Sequence, residues 1–162
     1  MKSIYLETSI VGYLTSWPSR DLIVAAHQQR THEWWHQQRK NYLLHISSFV
    51  LREASAGDAE AATERLAILQ GIPELAVTEE AESLARALLG RRILPEKASI
   101  DALHLAIAVV HEMDILLTWN CRHLANASIL VEVGRFIRMK GYEMPVVCTP
   151  DGLSGDEGKI HD

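Results

Sequence analysis

Three carboxylates stand where a chain of alternating strands and helices would gather them. Glu7 directly follows the apolar run Ile4-Tyr5-Leu6. Glu53 lies a few residues beyond a second run, Leu43-Leu44-His45-Ile46, and Asp101 opens a helical stretch that leads into a further run, Ile115-Leu116-Leu117. Thr118 and Asn120 follow that last run much as Glu7 follows the first. Acids brought together in this way repel one another unless a cation neutralises them, and oxygen ligands with open positions suit Mg²⁺ or Mn²⁺. Such ions activate a water and stabilise the leaving oxygen in phosphodiester hydrolysis. Plainer readings stand beside this one: Glu53 as a solvated helix residue, Asp101 as a favourable charge in the first turn of its helix. Glu7 resists such a reading, because an acid at the end of a buried strand is costly unless partnered.

The elements that would position these residues are short. The apolar runs at Ile4-Tyr5-Leu6, Leu43-Leu44-His45-Ile46, Leu75-Ala76-Val77, Ile115-Leu116-Leu117 and Val146-Val147-Cys148 read as buried strands. Between them lie helical stretches at about 21–40, 49–56, 58–70, 78–90, 99–113 and 126–140. Ser19 or Asp21, Ser47 or Ser48, Asp58 and Thr78 are available as caps. Gly57, Gly90 and Gly141 mark helix ends. In the stretch 99–113, Leu103, Ala106, Ile107 and Val110 follow the spacing of one apolar helix face. Strands without polar alternation suit a sheet covered on both sides. The expected fold class is α/β: a three-layer α/β/α domain with a mainly parallel sheet of about five strands. In such sheets ligands gather at the carboxyl ends of the strands, near the point where the strand order reverses.

The chain of 162 residues is one ordinary domain in length, expected over 1–153, with a polar tail at 154–162 expected to be disordered. Its composition, 48% hydrophobic and 23% charged, excludes global disorder, and no apolar run approaches a bilayer-spanning length. The N-terminus lacks the features of a signal peptide, and Cys121 and Cys148 cannot form a multi-disulfide framework. A cytoplasmic, reduced protein is therefore expected. The net charge of −5 repels phosphate overall, so any contact with nucleic acid needs metal ions or a local basic patch.

Taken together, Glu7-Thr8-Ser9 after the first strand, then Glu53, then Ser99-Ile100-Asp101-Ala102-Leu103-His104-Leu105-Ala106, then Leu116-Leu117-Thr118-Trp119-Asn120, resemble the PIN-domain family. They are most similar to the VapC-type toxins of bacterial toxin–antitoxin pairs. The resemblance covers about 4–150. It implies a Rossmann-like fold, a ribonuclease dependent on Mg²⁺ or Mn²⁺, a cognate antitoxin that blocks the site, an RNA substrate, and often a homodimer. Glu7 stands where the family usually has its first Asp, Glu53 matches the second acid and Asp101 the third. Asn120 stands at the fourth position, usually Asp, and the lost charge counts against a tightly held second metal. Thr8 or Ser9 matches the hydroxyl that accompanies the first acid, and Thr118 matches a second. Arg52 and Arg122 are candidate contacts for the RNA backbone, with Arg91, Arg92, Arg135 and Arg138 as alternatives. An RNA- or partner-binding protein of the same fold, with weak or lost nuclease activity, is the second reading.

One further motif competes. His32-Glu33-Trp34-Trp35-His36 fits the H-E-x-x-H pattern of zinc hydrolases. The chain carries eight His, so a chance match is unsurprising, and Arg39 stands where the longer motif needs Gly. The plainer expectation is a polar helix face. Trp34 and Trp35 lie about 100° apart around a helix axis, so one of them is expected to stay exposed and meet a partner. Cys121 and His123 lie close to Asn120 without the further ligands of a zinc site. His104, one turn beyond Asp101, reads as a packed or solvent-facing side chain, with a supporting role behind the metal ligands as the alternative.

Overall fold

Ile4, Tyr5 and Leu6 are fully buried, and everything near the acids is hung from this short central strand. The computed structural model describes residues 1–153; the tail expected to be disordered lies outside them. Five strands form one parallel sheet: β1 (Ser3–Leu6), β2 (Leu43–Ser47), β3 (Glu74–Leu75), β4 (Ile115–Leu117) and β5 (Val146–Cys148), in the order β3-β2-β1-β4-β5. The order runs outward in one direction from β1 to β3 and in the other from β4 to β5, so it reverses between β1 and β4. Tyr5 lies opposite His45 on one side and Leu116 on the other.

Seven α-helices connect the strands of the described residues: α1 (Thr8–Thr15), α2 (Leu22–Gln37), α3 (Ser48–Ala54), α4 (Ala59–Leu69), α5 (Glu79–Gly90), α6 (Ser99–Val110) and α7 (Ala127–Met139). Right-handed crossovers place α1 to α4 on one face of the sheet and α5 to α7 on the other. Packing agrees: α1 touches α2, α3 and α4, while α5 lies along α6 and Arg91 at its end sits over the Phe136 ring of α7. The architecture is the expected three-layer α/β/α. Side-chain caps at Asp21, Ser47, Asp58, Thr78 and Asn126 start α2, α3, α4, α5 and α7 by accepting backbone N–H groups. None of the described helices is long and apolar enough to cross a membrane.

The structure departs from the sequence expectations in four places, the first being α1, a seventh helix added to the six expected stretches. The third strand begins one residue earlier and covers just Glu74–Leu75, because its ladder with Ile46 and Ser47 ends there. Helix α6 does not bury a single stripe. Ala102 and the run His104 to Val109 are all buried, while Leu103 and Val110 are only half-buried. The cause is position, since α6 lies between the sheet and α5 and has little solvent-facing surface.

Gly90 ends α5 as expected, but it does not supply the left-handed turn. The left-handed position after the helix is Arg92, with φ of 57°. Arg92 N–H donates to Leu89 O and Ile93 N–H to Leu88 O, a Schellman closure around a non-glycine residue. The fourth departure concerns the tryptophans. Trp34 and Trp35 are both buried, at 3% and 6% exposure. The chain after α2 turns back so that Tyr42 meets the Trp34 ring and the Arg39 guanidinium lies 4.3 Å over Trp35, covering both directions at once. The large exposed apolar side chains nearby are instead Trp17, Leu22 and Ile23, at the entrance to α2.

A non-glycine residue in the left-handed region costs about 1 kcal/mol or more, which glycine does not incur. Arg92→Gly is therefore expected to be more stable than Arg92→Ala by about 1 kcal/mol in paired denaturant melts. Equal stability of the two variants would show that the backbone at residue 92 is unstrained.

Candidate metal centre

The reversal of strand order between β1 and β4 opens a crevice at their carboxyl ends, the place where α/β sheets bind ligands. Glu7 N–H still donates to Leu117 O at 3.0 Å, and Thr118 N–H to Cys148 O at 3.0 Å, so both residues leave the sheet at its very edge. Glu7 then caps α1 with its own side chain, Oε2 accepting from Ser9 N–H at 3.0 Å. Its Oε1 accepts from the hydroxyls of Ser9 at 2.5 Å and Thr118 at 2.6 Å. Ser9 Oγ in turn accepts from Trp119 N–H, and Thr118 Oγ1 from Asn120 N–H. Glu7 is only 8% exposed, yet every one of these partners is a donor, which is how a buried carboxylate is sustained.

Glu53 comes from α3 and meets Glu7 across the crevice. Thr8 donates to its Oε1 at 2.7 Å, and His104 Nε2 lies 2.6 Å from the same oxygen. Oε2 of Glu53 has no hydrogen-bond partner among the described residues. Burial pushes the Glu53 carboxyl up, but its hydrogen bonds from His104 and Thr8 outweigh this, and the net direction is below the usual glutamate range. Among the described residues, the group of His, Cys, Asp and Glu side chains close enough to share one cation is Glu7, Glu53 and His104, with ligand atoms within 4.8 Å of one another.

Asp101, in the first turn of α6, stands beside this group rather than in it. Asn120 Nδ2 donates to its Oδ1 at 2.8 Å, and His123 Nδ1 lies 3.0 Å from its Oδ2. Asn120 Oδ1 accepts the N–H groups of Arg122 and His123 at 3.1 and 3.0 Å. The amide therefore offers its nitrogen, not its oxygen, to Asp101. Burial raises the Asp101 carboxyl above its usual range, His123 opposes this, and the negative charge of Glu7 adds to the rise.

Thus Glu7, Glu53, Thr8, Ser9 and Thr118 converge as one network, and Asp101 and Asn120 form a second pair at its side. Arg52 and Arg122 are both exposed. His104 and His123 carry more of the site than their sequence context indicates. His104 is fully buried and bonded into the cluster, and the signal for it was its place on α6, one turn beyond Asp101. His32 and His36 stack on each other at 6.2 Å on the exposed side of α2, away from any such group among the described residues, and Glu33 is engaged by Gln29 and Arg30. Within the HEWWH stretch His32, Glu33 and His36 form a polar helix face, while both tryptophans turn into the core. His27 leaves that face to stack on Trp119 at 4.1 Å, and the Trp119 indole donates to Thr31, which ties α2 to the loop carrying Asn120.

No protein-family model matches the chain, and no curated protein matches it in sequence. Solved structures do match. The VapBC2 structure from Rickettsia felis, bound to a DNA fragment from its promoter, aligns over 90% of this chain and 97% of its own at 18% identity and a TM-score of 0.56. VapC20 of Mycobacterium tuberculosis, a toxin that cleaves the sarcin–ricin loop, aligns over 74% of this chain and 92% of its own at 20% identity and a TM-score of 0.59. The chain has the PIN-domain fold of these VapC proteins.

The two acids next to the histidines should respond oppositely to loss of charge. Glu53 has a lowered folded-state pKa, so its ionisation stabilises the fold above the usual glutamate range and that contribution is lost as pH falls through the folded value. Asp101 has a raised one, so its ionisation opposes folding at neutral pH and the cost disappears as pH falls. In metal-free melts at pH 7, Glu53→Gln is expected to lose about 1–2 kcal/mol, and Asp101→Asn to match or slightly exceed the wild type. Both differences should shrink towards pH 3, and a large destabilisation by Asp101→Asn would contradict the arrangement.

Proposed function

We propose that this protein is a divalent-metal-dependent endoribonuclease and the toxin of a toxin–antitoxin pair. The observation that carries the reading is the convergence of Glu7 and Glu53 in the crevice between β1 and β4, with Asp101 beside them and one oxygen of Glu53 left without a protein partner. A cation relieves the repulsion between acids this close, and an oxygen-rich set with an open side suits Mg²⁺ or Mn²⁺. Glu7, Glu53 and Asp101 would hold it. When bound, such an ion supplies water activation and charge stabilisation for hydrolysis of an RNA phosphodiester bond.

The chain's own residues fix the geometry. Ser9 and Thr118 hold Glu7 at the strand end, and Thr8 and His104 hold Glu53 against it. Asn120 and His123 hold Asp101 by both oxygens, so its approach to a cation is steered from the loop after β4. Arg52, next to Glu53 in sequence, and Arg122, in the loop after Asn120, supply exposed positive charge for the RNA backbone in a chain whose net charge is −5. The toxin role and the antitoxin partner are supported by the VapC proteins that share the fold. A homodimer is proposed on the resemblance, and a cytoplasmic location follows from the function.

One observation favours the second reading, a PIN-fold protein that binds RNA or a partner with little cleavage: the Asn120 oxygen is taken up by two backbone N–H groups. A cleavage assay separates the two. With single-stranded RNA and a ribosomal stem-loop as substrates, Mn²⁺ or Mg²⁺ is expected to support cleavage, EDTA to abolish it, and Asp101→Asn to reduce it to background. Changing His32 and His36 together to Ala should leave the rate within a few-fold. Peptidase activity lost with stoichiometric zinc in that double variant would overturn the reading, as would RNA cleavage indifferent to EDTA.

A further inference from the structure

Behind Glu53 runs a chain of polar groups with no access to water. Tyr5 on β1, Ser47 at the end of β2 and His104 on α6 are each 0% exposed. Ser47 Oγ accepts Val50 N–H at 3.2 Å as the cap of α3, and lies 2.8 Å from the Tyr5 hydroxyl. The Tyr5 hydroxyl is 2.7 Å from His104 Nδ1, and His104 Nε2 is 2.6 Å from Glu53 Oε1. The rings of Phe49 and Tyr5 flank the imidazole at 5.2 and 5.8 Å.

Counting donors fixes the direction of this chain. Ser47 Oγ already accepts from Val50, so its proton needs an acceptor, and the neighbour at hand is the Tyr5 oxygen. Tyr5 then has its own proton to give, and gives it to Nδ1. Nδ1 therefore carries the lone pair, and the ring proton sits on Nε2, pointing at Glu53. The reverse direction would leave the Ser47 hydroxyl proton buried without an acceptor, which is a costly arrangement. The nitrogen facing the acids is thus a donor and not a lone pair, although its distance alone would fit a ligand. His104 and Thr8 both hold Oε1, and Oε2 is left as the oxygen that the carboxylate offers.

We propose that His104 is a positioning residue: set in its Nε2–H form by the buried Ser47–Tyr5 chain, it clamps one oxygen of Glu53 and so presents the other to the cation. The inference rests on the metal-binding reading above and assigns the imidazole a place outside the coordination sphere. Loss of a hydrogen bond that orients a ligating group weakens metal affinity about 10- to 100-fold.

Amide substitutions separate the two ends of the ring. In His104→Gln the amide nitrogen reaches the place of Nε2 and keeps a donor for Glu53; in His104→Asn the amide oxygen stands at the place of Nδ1, accepts from Tyr5 and leaves Glu53 without a donor. Calorimetric titration with Mn²⁺ alone is expected to show affinity down tenfold or more in His104→Asn and recovered to within about threefold of wild type in His104→Gln. Imidazole ¹⁵N shifts of the metal-free wild type should report the Nε2–H form. If His104→Asn does not fold, Tyr5→Phe, which removes one oxygen and keeps the ring, is expected to weaken Mn²⁺ in the same direction. Wild-type affinity in His104→Asn, or in Tyr5→Phe where that arm decides, overturns the inference alone, as does an Nδ1–H ring. A wild type that binds no Mn²⁺ overturns the functional reading and this inference with it.

Discussion

Negative charge crowded into a half-buried crevice is the condition that the rest of this molecule is arranged to meet. Glu7 and Glu53 face each other at the edge of the sheet, with Glu7 almost fully buried, and Asp101 feels the charge of Glu7. Repulsion and desolvation both work against holding ionised acids there. What offsets them is a shell made wholly of donors: the hydroxyls of Thr8, Ser9 and Thr118, the Ser9 N–H, the Asn120 amide and two imidazoles. Removing a donor leaves an acid short of a partner, while supplying a cation relieves the whole group.

The fold supplies these donors through its shortest elements. β1 and β4 contribute four and three residues, yet they end side by side, and that is what brings Thr118 to Glu7 across a separation of 111 residues. Helix α6, buried nearly all round between the sheet and α5, presents Asp101 at its first turn and His104 one turn later, the first towards the loop after β4 and the second towards Glu53. Trp119, stacked on His27 and bonded to Thr31, anchors that loop against α2 on the opposite face of the sheet from α6. The acids are therefore held from both layers of helices, so their spacing depends on the packing of the whole domain.

Much of this was legible in the sequence for a local reason. Apolar runs bounded by Asp21, Ser47, Asp58 and Thr78 announce strands and capped helices, since caps and buried strands are written in adjacent residues. Glu7 was legible too, because an acid ending a buried strand asks for a partner. What escaped was set by tertiary contact. Nothing near Trp34 and Trp35 says that Tyr42 and Arg39 fold back to cover both rings. Gly90 ends α5 as its sequence suggests, yet the left-handed turn falls two residues on, at Arg92. The partners of His104 lie 51 and 99 residues away, and its donor direction depends on Val50 N–H reaching Ser47, a contact two links removed from the ring. The amide of Asn120 points its nitrogen inward for a similarly local but invisible cause, the capture of its oxygen by Arg122 and His123.

The central claim is that the acid crevice at the ends of β1 and β4 is a cation site. Anomalous diffraction from crystals soaked in Mn²⁺ locates the ion without reference to activity. The account predicts a peak at coordination distance, about 2.0–2.3 Å, from carboxylate oxygens of Glu7 and Glu53, including Glu53 Oε2, with Asp101 directed towards it and His104 still bonded to Oε1. An empty crevice at saturating Mn²⁺, or a peak at His32 and His36 instead, would contradict it.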